Sequence, residues 1–244
     1  MPKTSSLKKR FRRWLRGYSH PYVGDVFGTK VNTSFLDEPA FEKAWNTAIA
    51  QNDGCPDIRW RCHTCIWAAK RGLELGGDFV DCGVYGGVLA LTIAEYFGFR
   101  NGGPKHWLFD TFQGLPLAQL PADEIEFATK VNRRRYQDDV YSKAQRNFAL
   151  YPNARLVRGA LPRSLDDAPE LKKIAYLSMD LNSASAERDT IKELWDRIIS
   201  GAIIVLDDYA FPSHVQQYDM WNQFAQSKNR SILTLPTGQG LIIK

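Results

Sequence analysis

A chain of 244 residues, 44% of them apolar and 24% charged, is long enough for one large α/β domain with a substantial core. A net charge of +5 is too modest to argue for nucleic acid, and no apolar run reaches the length of a membrane span. The charge is concentrated: Lys3, Lys8, Lys9, Arg10, Arg12, Arg13 and Arg16 share a stretch with no acid, so the remainder sums to −2.

The basic N-terminus reads as a solvated tail able to make weak contact with a membrane surface. No apolar h-region follows it, so a secretory signal is not expected. In "LDEPAFEKAWNTAIAQ", Phe41, Ala44, Trp45 and Ala48 recur at helical spacing. "RWRCHTCIWAAKRGLEL" reads as a second helix, with Cys62 and Cys65 able to share one face. Zinc would need a second ligand pair, and only Cys55 is near, so these thiols are expected reduced and half-buried. Few cysteines and no signal point to the cytoplasm. Residues 1–76 are read as a helical extension, a lid or oligomer contact, on a domain spanning 77–244. Its aromatics Phe35, Phe41 and Trp45 need covering, which predicts a homo-oligomer.

From Gly77 strands and helices alternate. "DFVDCGV", "HWLFD", "ARLVRG", "IAYLSMD" and "AIIVLDD" read as strands, and "SILTLP" and "GLIIK" close the chain as two more around a "TGQG" turn. Helices are expected at "VLALTIAEYFG", near "YSKAQRNFALY", through "AERDTIKELWDRII" and near "HVQQYDMWNQFAQSK". The inner strands are continuous apolar runs, the pattern of strands buried on both faces. This predicts a Rossmann-like, doubly wound, mostly parallel sheet of seven strands, with ligands at the strands' carboxyl ends. The long connection "FQGLPLAQLPADEIEFATKVNRRRYQDDV" is expected to be a lid.

Three motifs carry chemistry. In "DFVDCGVYGG" a strand runs into Gly83, and Gly86 and Gly87 open the next helix, a turn where backbone can approach a ligand. In "HWLFDTFQGLP" Asp110 ends the next strand, placed to accept hydrogen bonds from a ribose diol. Asp180 and the pair Asp207–Asp208 end two strands expected to be neighbours. Three carboxylates that close repel unless a cation compensates, and hard oxygen ligands suit Mg²⁺, Ca²⁺ or Mn²⁺. Aromatics such as Phe112, Tyr209 and Phe211 are expected to pack rather than stack on a ligand.

"DFVDCGVYGG", "LFDTFQGLP", "MDLN" and "GAIIVLDDYAF", in this order, resemble the macrocin O-methyltransferase family of the TylF/MycE type. The resemblance covers roughly residues 60–244 and implies an S-adenosylmethionine- and Mg²⁺-dependent sugar O-methyltransferase acting on a small-molecule or glycan acceptor. It implies that Asp81 and Gly83 begin the cofactor loop, with Tyr85 and Gly86 near the methionine part. Asp110, with Thr111 beside it, would hold the ribose, and Gly159 and Ala160 would lie near adenine. Asp180, Asp207 and Asp208 would bind the metal. Where family members read "DxDxY", this chain reads "DLNSA", so the expected general base is Asn182. An amide takes no proton in a useful range. Three readings stay open: a metal lowers the hydroxyl pKa enough for a weaker base, His214 serves as base, or Asn182 orients the substrate. A cofactor-binding relative without catalysis, and a nucleic-acid methyltransferase or binder using the basic tail, are the alternatives.

Overall fold

The computed structural model describes residues 22–24 and 27–244. The basic tail and the contacts expected of it lie outside the described residues. The chain begins with a short hairpin, β1 (Tyr22–Gly24) and β2 (Phe27–Thr29). Helices α1 (Pro39–Ala50) and α2 (Arg59–Leu75) follow. Then come β3 (Asp78–Cys82), α3 (Val88–Tyr96) and β4 (His106–Asp110). Two helices, α4 (Ala122–Arg135) and α5 (Val140–Phe148), lead to β5 (Ala154–Arg158). The chain closes with β6 (Ile174–Met179), α6 (Ala184–Leu194), β7 (Ile198–Leu206), α7 (Val215–Ser227), β8 (Leu233–Thr234) and β9 (Gly240–Ile243).

The seven strands β3 to β9 form one sheet in the order β5-β4-β3-β6-β7-β9-β8. Pairings among β3 to β7 are parallel, and the terminal β9 and β8 run antiparallel. This is the expected doubly wound sheet. Successive strand residues enter opposite cores, as the pleat requires. Phe79, Tyr176 and Ile203 pack in the core with Cys65, Ala68 and Ala69 of α2, while Val80, Leu177 and Ile204 pack with Ile191 and Trp221. The order reverses between β3 and β6, so the loops after those strands part and leave a crevice. The two loops still touch at their roots, where Asp180 N–H donates to the Cys82 carbonyl at 2.8 Å.

Three local readings change. The "lid" contains the four-turn helix α4. Its apolar stripe is thin, with Ala128 and the polar Glu124 its buried positions, so periodicity did not announce it. Ile198 and Ile199 open β7 instead of ending a helix, because a 3-10 turn at Trp195–Arg197 stops the helix first. The extension carries the β1–β2 hairpin as well as helices. Within the extension Phe35 lies 4.0 Å from the His63 ring and packs edge-on against Phe41 and Trp60, whereas Trp67 is 54% exposed. Among the described residues no helix is long and apolar enough to cross a membrane.

Candidate active site

The crevice is a cleft of about 720 Å³, counting its open mouth. Gly83, Val84 and Tyr85 form one wall, Asp110, Thr111, Gly159 and Ala160 the next, and Asp180, Leu181 and Asn182 the third. Residues of the long connection, among them Leu115, Leu120, Val131, Arg135 and Tyr136, roof it.

Gly83 is fixed by space as well as by backbone angle. It sits at φ +88°, and an added Cβ would fall 1.9 Å from the Asp180 carbonyl oxygen. Only glycine lets the β3 loop run this close to the β6 loop at their roots. The first turns after β3, β4 and β6 each hold a non-glycine residue in left-handed backbone: Tyr85 at φ 51°, Phe112 at 55° and Asn182 at 55°. Strained backbone at three strand ends around one cleft is the pattern of a functional site. Asparagine is the non-glycine residue that tolerates it best.

Asp110 organises the first wall. Its Oδ2 accepts the N–H groups of Val84 at 2.8 Å and Tyr85 at 2.7 Å, and Oδ1 accepts that of Phe112 at 2.6 Å. One acceptor position on Oδ1 remains for a ligand hydroxyl. Thr111 turns its hydroxyl to the Gly114 carbonyl at 2.6 Å, closing its own turn. Two residues expected at the cofactor are not among the cleft's lining. Asp81 is buried beneath the wall, its carboxylate 2.5 Å from His106 Nε2, because alternation along β3 turns it away from the strand end. Gly86 packs against the extension: a Cβ there would meet Asn52 Oδ1 at 1.8 Å, and Asn147 donates to its carbonyl at 2.8 Å.

The acids converge as expected. Asp180, Asp207 and Asp208 each present a carboxylate oxygen within 4.8 Å of the others. Burial, then the neighbouring Asp208 and Asp207 charges, raises the Asp180 pKa well above the carboxylate range. Burial, then Asp207, pushes Asp208 up to about 6. An all-oxygen set of mutually repelling acids fits a hard divalent cation. Sequence reasoning missed two partners. Arg61 Nη1 lies 2.6 Å from Asp207 Oδ2 and 3.5 Å from Asp208 Oδ1, with its guanidinium 4.6 Å from the Phe211 ring centre. Gln239, fully buried, donates to Asp207 Oδ1 at 2.9 Å. An arginine one turn before Cys65, on the stripe that meets the sheet, was the available signal for the first.

His214 and Asn182, 32 residues apart, meet beside these acids, with His214 Nε2 3.4 Å from Asn182 Oδ1 and 3.6 Å from Asp208 Oδ2. Asn182 Nδ2 donates to Asp180 Oδ1 at 2.8 Å, a bond an aspartate could not make. Burial, then the Arg61 charge, lowers the His214 pKa, leaving a neutral imidazole near neutral pH. Ser213 Oγ stands 2.9 Å from Nδ1. Cys62 and Cys65 are fully buried, not half-buried as expected, and that burial pushes Cys62 up to about 12 and Cys65 well above its usual range. Phe112 and Tyr209 are packed in the core, as expected.

Glu187 is a buried brace behind the third wall. It accepts N–H groups from Leu181 at 3.1 Å, Gln217 at 2.9 Å and Trp221 at 2.7 Å, tying the β6 loop to α7. Burial pushes its pKa up to about 7, against those three donors.

Comparison with known proteins places this geometry. Residues 62–233 match the Macrocin-O-methyltransferase (TylF) family. Mycinamicin III 3''-O-methyltransferase of Micromonospora griseorubida is 27% identical over 161 residues, 61% of each chain. The 8-demethyl-8-(2,3-dimethoxy-alpha-L-rhamnosyl)-tetracenomycin-C 4'-O-methyltransferase of Streptomyces olivaceus is 22% identical over 140 residues, 55% of this chain and 53% of that one. The chain thus spans between 53% and 61% of the length of these curated relatives. The O-methyltransferase NovP superposes with a TM-score of 0.63 at 22% identity, covering 75% of this chain and 79% of its own. The calicheamicin methyltransferase CalS11 superposes with a TM-score of 0.56 at 15% identity, covering 100% and 93%. These structures share the Rossmann-like methyltransferase fold with this one. With the family match running over well more than half of its length, the chain belongs to the macrocin O-methyltransferase family of enzymes.

Proposed function

We propose that the protein is an S-adenosylmethionine-dependent, divalent-metal-assisted O-methyltransferase acting on a hydroxyl of a sugar or sugar-like diol. The observation that carries the reading is the carboxylate trio Asp180, Asp207 and Asp208, gathered within 4.8 Å at the edge of a nucleoside-sized cleft. The name of the Streptomyces olivaceus relative includes a rhamnosyl group, which supports a sugar acceptor.

When bound, S-adenosylmethionine supplies an electrophilic methyl group and a divalent cation supplies positive charge beside the acceptor oxygen. The protein's own work is positioning and proton removal. Asp110 accepts from the ribose, and the Gly83–Tyr85 turn and Gly159–Ala160 flank the cofactor. Asp180, Asp207 and Asp208 hold the cation. His214 Nε2 takes the acceptor proton, with Nδ1–H directed to Ser213. The imidazolium that forms then has Asn182 Oδ1 and Asp208 Oδ2 within reach of its new N–H. Asn182 orients without competing for the proton.

Radiolabel transfer from S-adenosylmethionine to a panel of methyl glycosides and nucleotide sugars tests this. Transfer should be lost with EDTA and in Asp207→Asn, while S-adenosylhomocysteine binding survives both. Full transfer in EDTA and in Asp207→Asn would remove the metal from the mechanism.

A further inference from the structure

Helix α4 ends in Arg133, Arg134 and Arg135, and their environments differ. Arg133 and Arg134 line a separate outer groove with Glu126, Thr129 and Lys130, where they complement the helix C-terminus. Arg135 lines the cleft. Among the described residues it makes no hydrogen bond or ion pair, although it lies close enough for its charge to favour ionised Asp180 and Asp208. It has not collapsed onto either acid.

The charges of the site explain why this matters. The three acids carry three negative charges. Arg61, bonded to Asp207 and near Asp208, returns one positive charge, and a divalent cation returns two. The group is then neutral, and the remaining carboxylate of the cleft lining, Asp110, already accepts three backbone N–H groups, so Arg135 has no ion-pair partner there. The sulfonium of the cofactor adds further positive charge. Arg135 is exposed at the cleft, so water solvates it until a ligand arrives, and its planar fork matches carboxylate or phosphate oxygens in pairs.

Building on the methyltransferase reading above, we propose that Arg135 is the receptor for an oxyanion, a carboxylate or phosphate, carried into the cleft by the ligand. Two sources share that chemistry. One is the methionine carboxylate of the cofactor. The other is an anionic group on the acceptor, a uronate carboxylate or a glycosyl phosphate. In the second case methylation acts on an acidic or phosphate-activated sugar, and for the glycosyl phosphate the reaction class that consumes the product is glycosyl transfer, with the anomeric phosphate as leaving group.

Calorimetric titration of the full chain and of Arg135→Met, in Mg²⁺, tests the assignment and separates the sources. The probes are S-adenosylhomocysteine, 5′-methylthioadenosine, which lacks the amino acid, and then, over saturating S-adenosylhomocysteine, glucose 1-phosphate, glucuronate and glucose. If the cofactor carboxylate is the partner, Arg135→Met weakens S-adenosylhomocysteine about tenfold or more and leaves 5′-methylthioadenosine unchanged. If the acceptor is the source, S-adenosylhomocysteine is unchanged. Glucose 1-phosphate or glucuronate then binds the parent at least about tenfold tighter than the variant, and glucose does not discriminate. Equal binding of every probe by parent and variant overturns the proposal while the methyltransferase reading stands. Absence of S-adenosylhomocysteine binding by the folded parent overturns both. Partial recovery of the lost affinity in Arg135→Lys, a point charge without the fork, separates charge from bidentate geometry.

Discussion

Replacing Arg61 by methionine removes the cation bonded to the acid trio and keeps most of the side chain's volume. The guanidinium is 2.6 Å from Asp207 and 3.5 Å from Asp208, and the three side chains are only 10%, 7% and 14% exposed. With an effective dielectric of ~20, a pair of charges at that shorter separation attracts by roughly 6 kcal/mol, much of it offset by the cost of burying both ions. Breaking such a pair from one side costs about 3–5 kcal/mol, because the remaining acids are buried without their counter-charge. In a chain of this size that is a fall in Tm of roughly 6–20 °C in EDTA at pH 8. A divalent cation should restore much of it, because it supplies the missing charge to the same oxygens. The assay is thermal unfolding of parent and variant in EDTA and across a Mg²⁺ series. Stabilisation by Mg²⁺ should be larger in Arg61→Met than in the parent, with tighter apparent metal binding. Equal destabilisation with and without Mg²⁺ would mean that Arg61 and the metal do not share the acids, and the charge argument would fail.

Gly83→Ala forces a Cβ against the Asp180 carbonyl at 1.9 Å. It should cost at least about 3 kcal/mol in denaturant titrations, and a stable, fully active variant would contradict the loop geometry. Asn182→Asp replaces the donor to Asp180 by a fourth carboxylate. It should lower metal-free stability by about 1–3 kcal/mol and tighten Mg²⁺ binding, and unchanged Mg²⁺ affinity by calorimetry would refute that. His214→Gln should lower kcat about a hundredfold or more and remove the lower limb of the pH–rate profile, whereas an unaltered profile would assign the base elsewhere. Glu187 is held with its pKa raised from 4.5 to about 7. Its contribution to stability is complete below pH 4.5 and is lost as pH rises through 7, a change of about 3 kcal/mol. Glu187→Gln should therefore lose less stability than the parent between pH 5 and pH 8, and parallel pH curves would show that Glu187 does not titrate in the fold.

The sheet was legible because each inner strand is a continuous apolar run, and the acids at the ends of β6 and β7 became neighbours once those strands paired. Helix α4 was hidden because its stripe is thin, though its charge order was a signal: Asp123 and Glu124 in the first turn, Arg133 to Arg135 in the last. Arg61 and Gln239 were not legible as site residues. They reach Asp207 across 146 and 32 residues of chain, and only the order of strands decides who meets at a strand end. Asp81 shows the converse. The family resemblance implied that it begins the cofactor loop, but the two-residue period of β3 turns its carboxylate to His106. Asn182 was visible as an oddity, and its physical sense came from three-dimensional context: a left-handed backbone position, a donor to Asp180 and an acceptor toward His214.

The measurement that bears most directly on the account is calorimetric titration of the folded full chain with S-adenosylhomocysteine, in Mg²⁺ and in EDTA, followed by titration of Mg²⁺ into the saturated sample. The account predicts micromolar cofactor-product binding in both conditions, because the Asp110 and Gly159–Ala160 wall proposed for the nucleoside lies apart from the acids at Asp180, Asp207 and Asp208. It further predicts a Mg²⁺ isotherm that disappears in Asp207→Asn. No heat from S-adenosylhomocysteine in either condition would contradict the methyltransferase assignment and leave the three acids as a metal site for some other reaction.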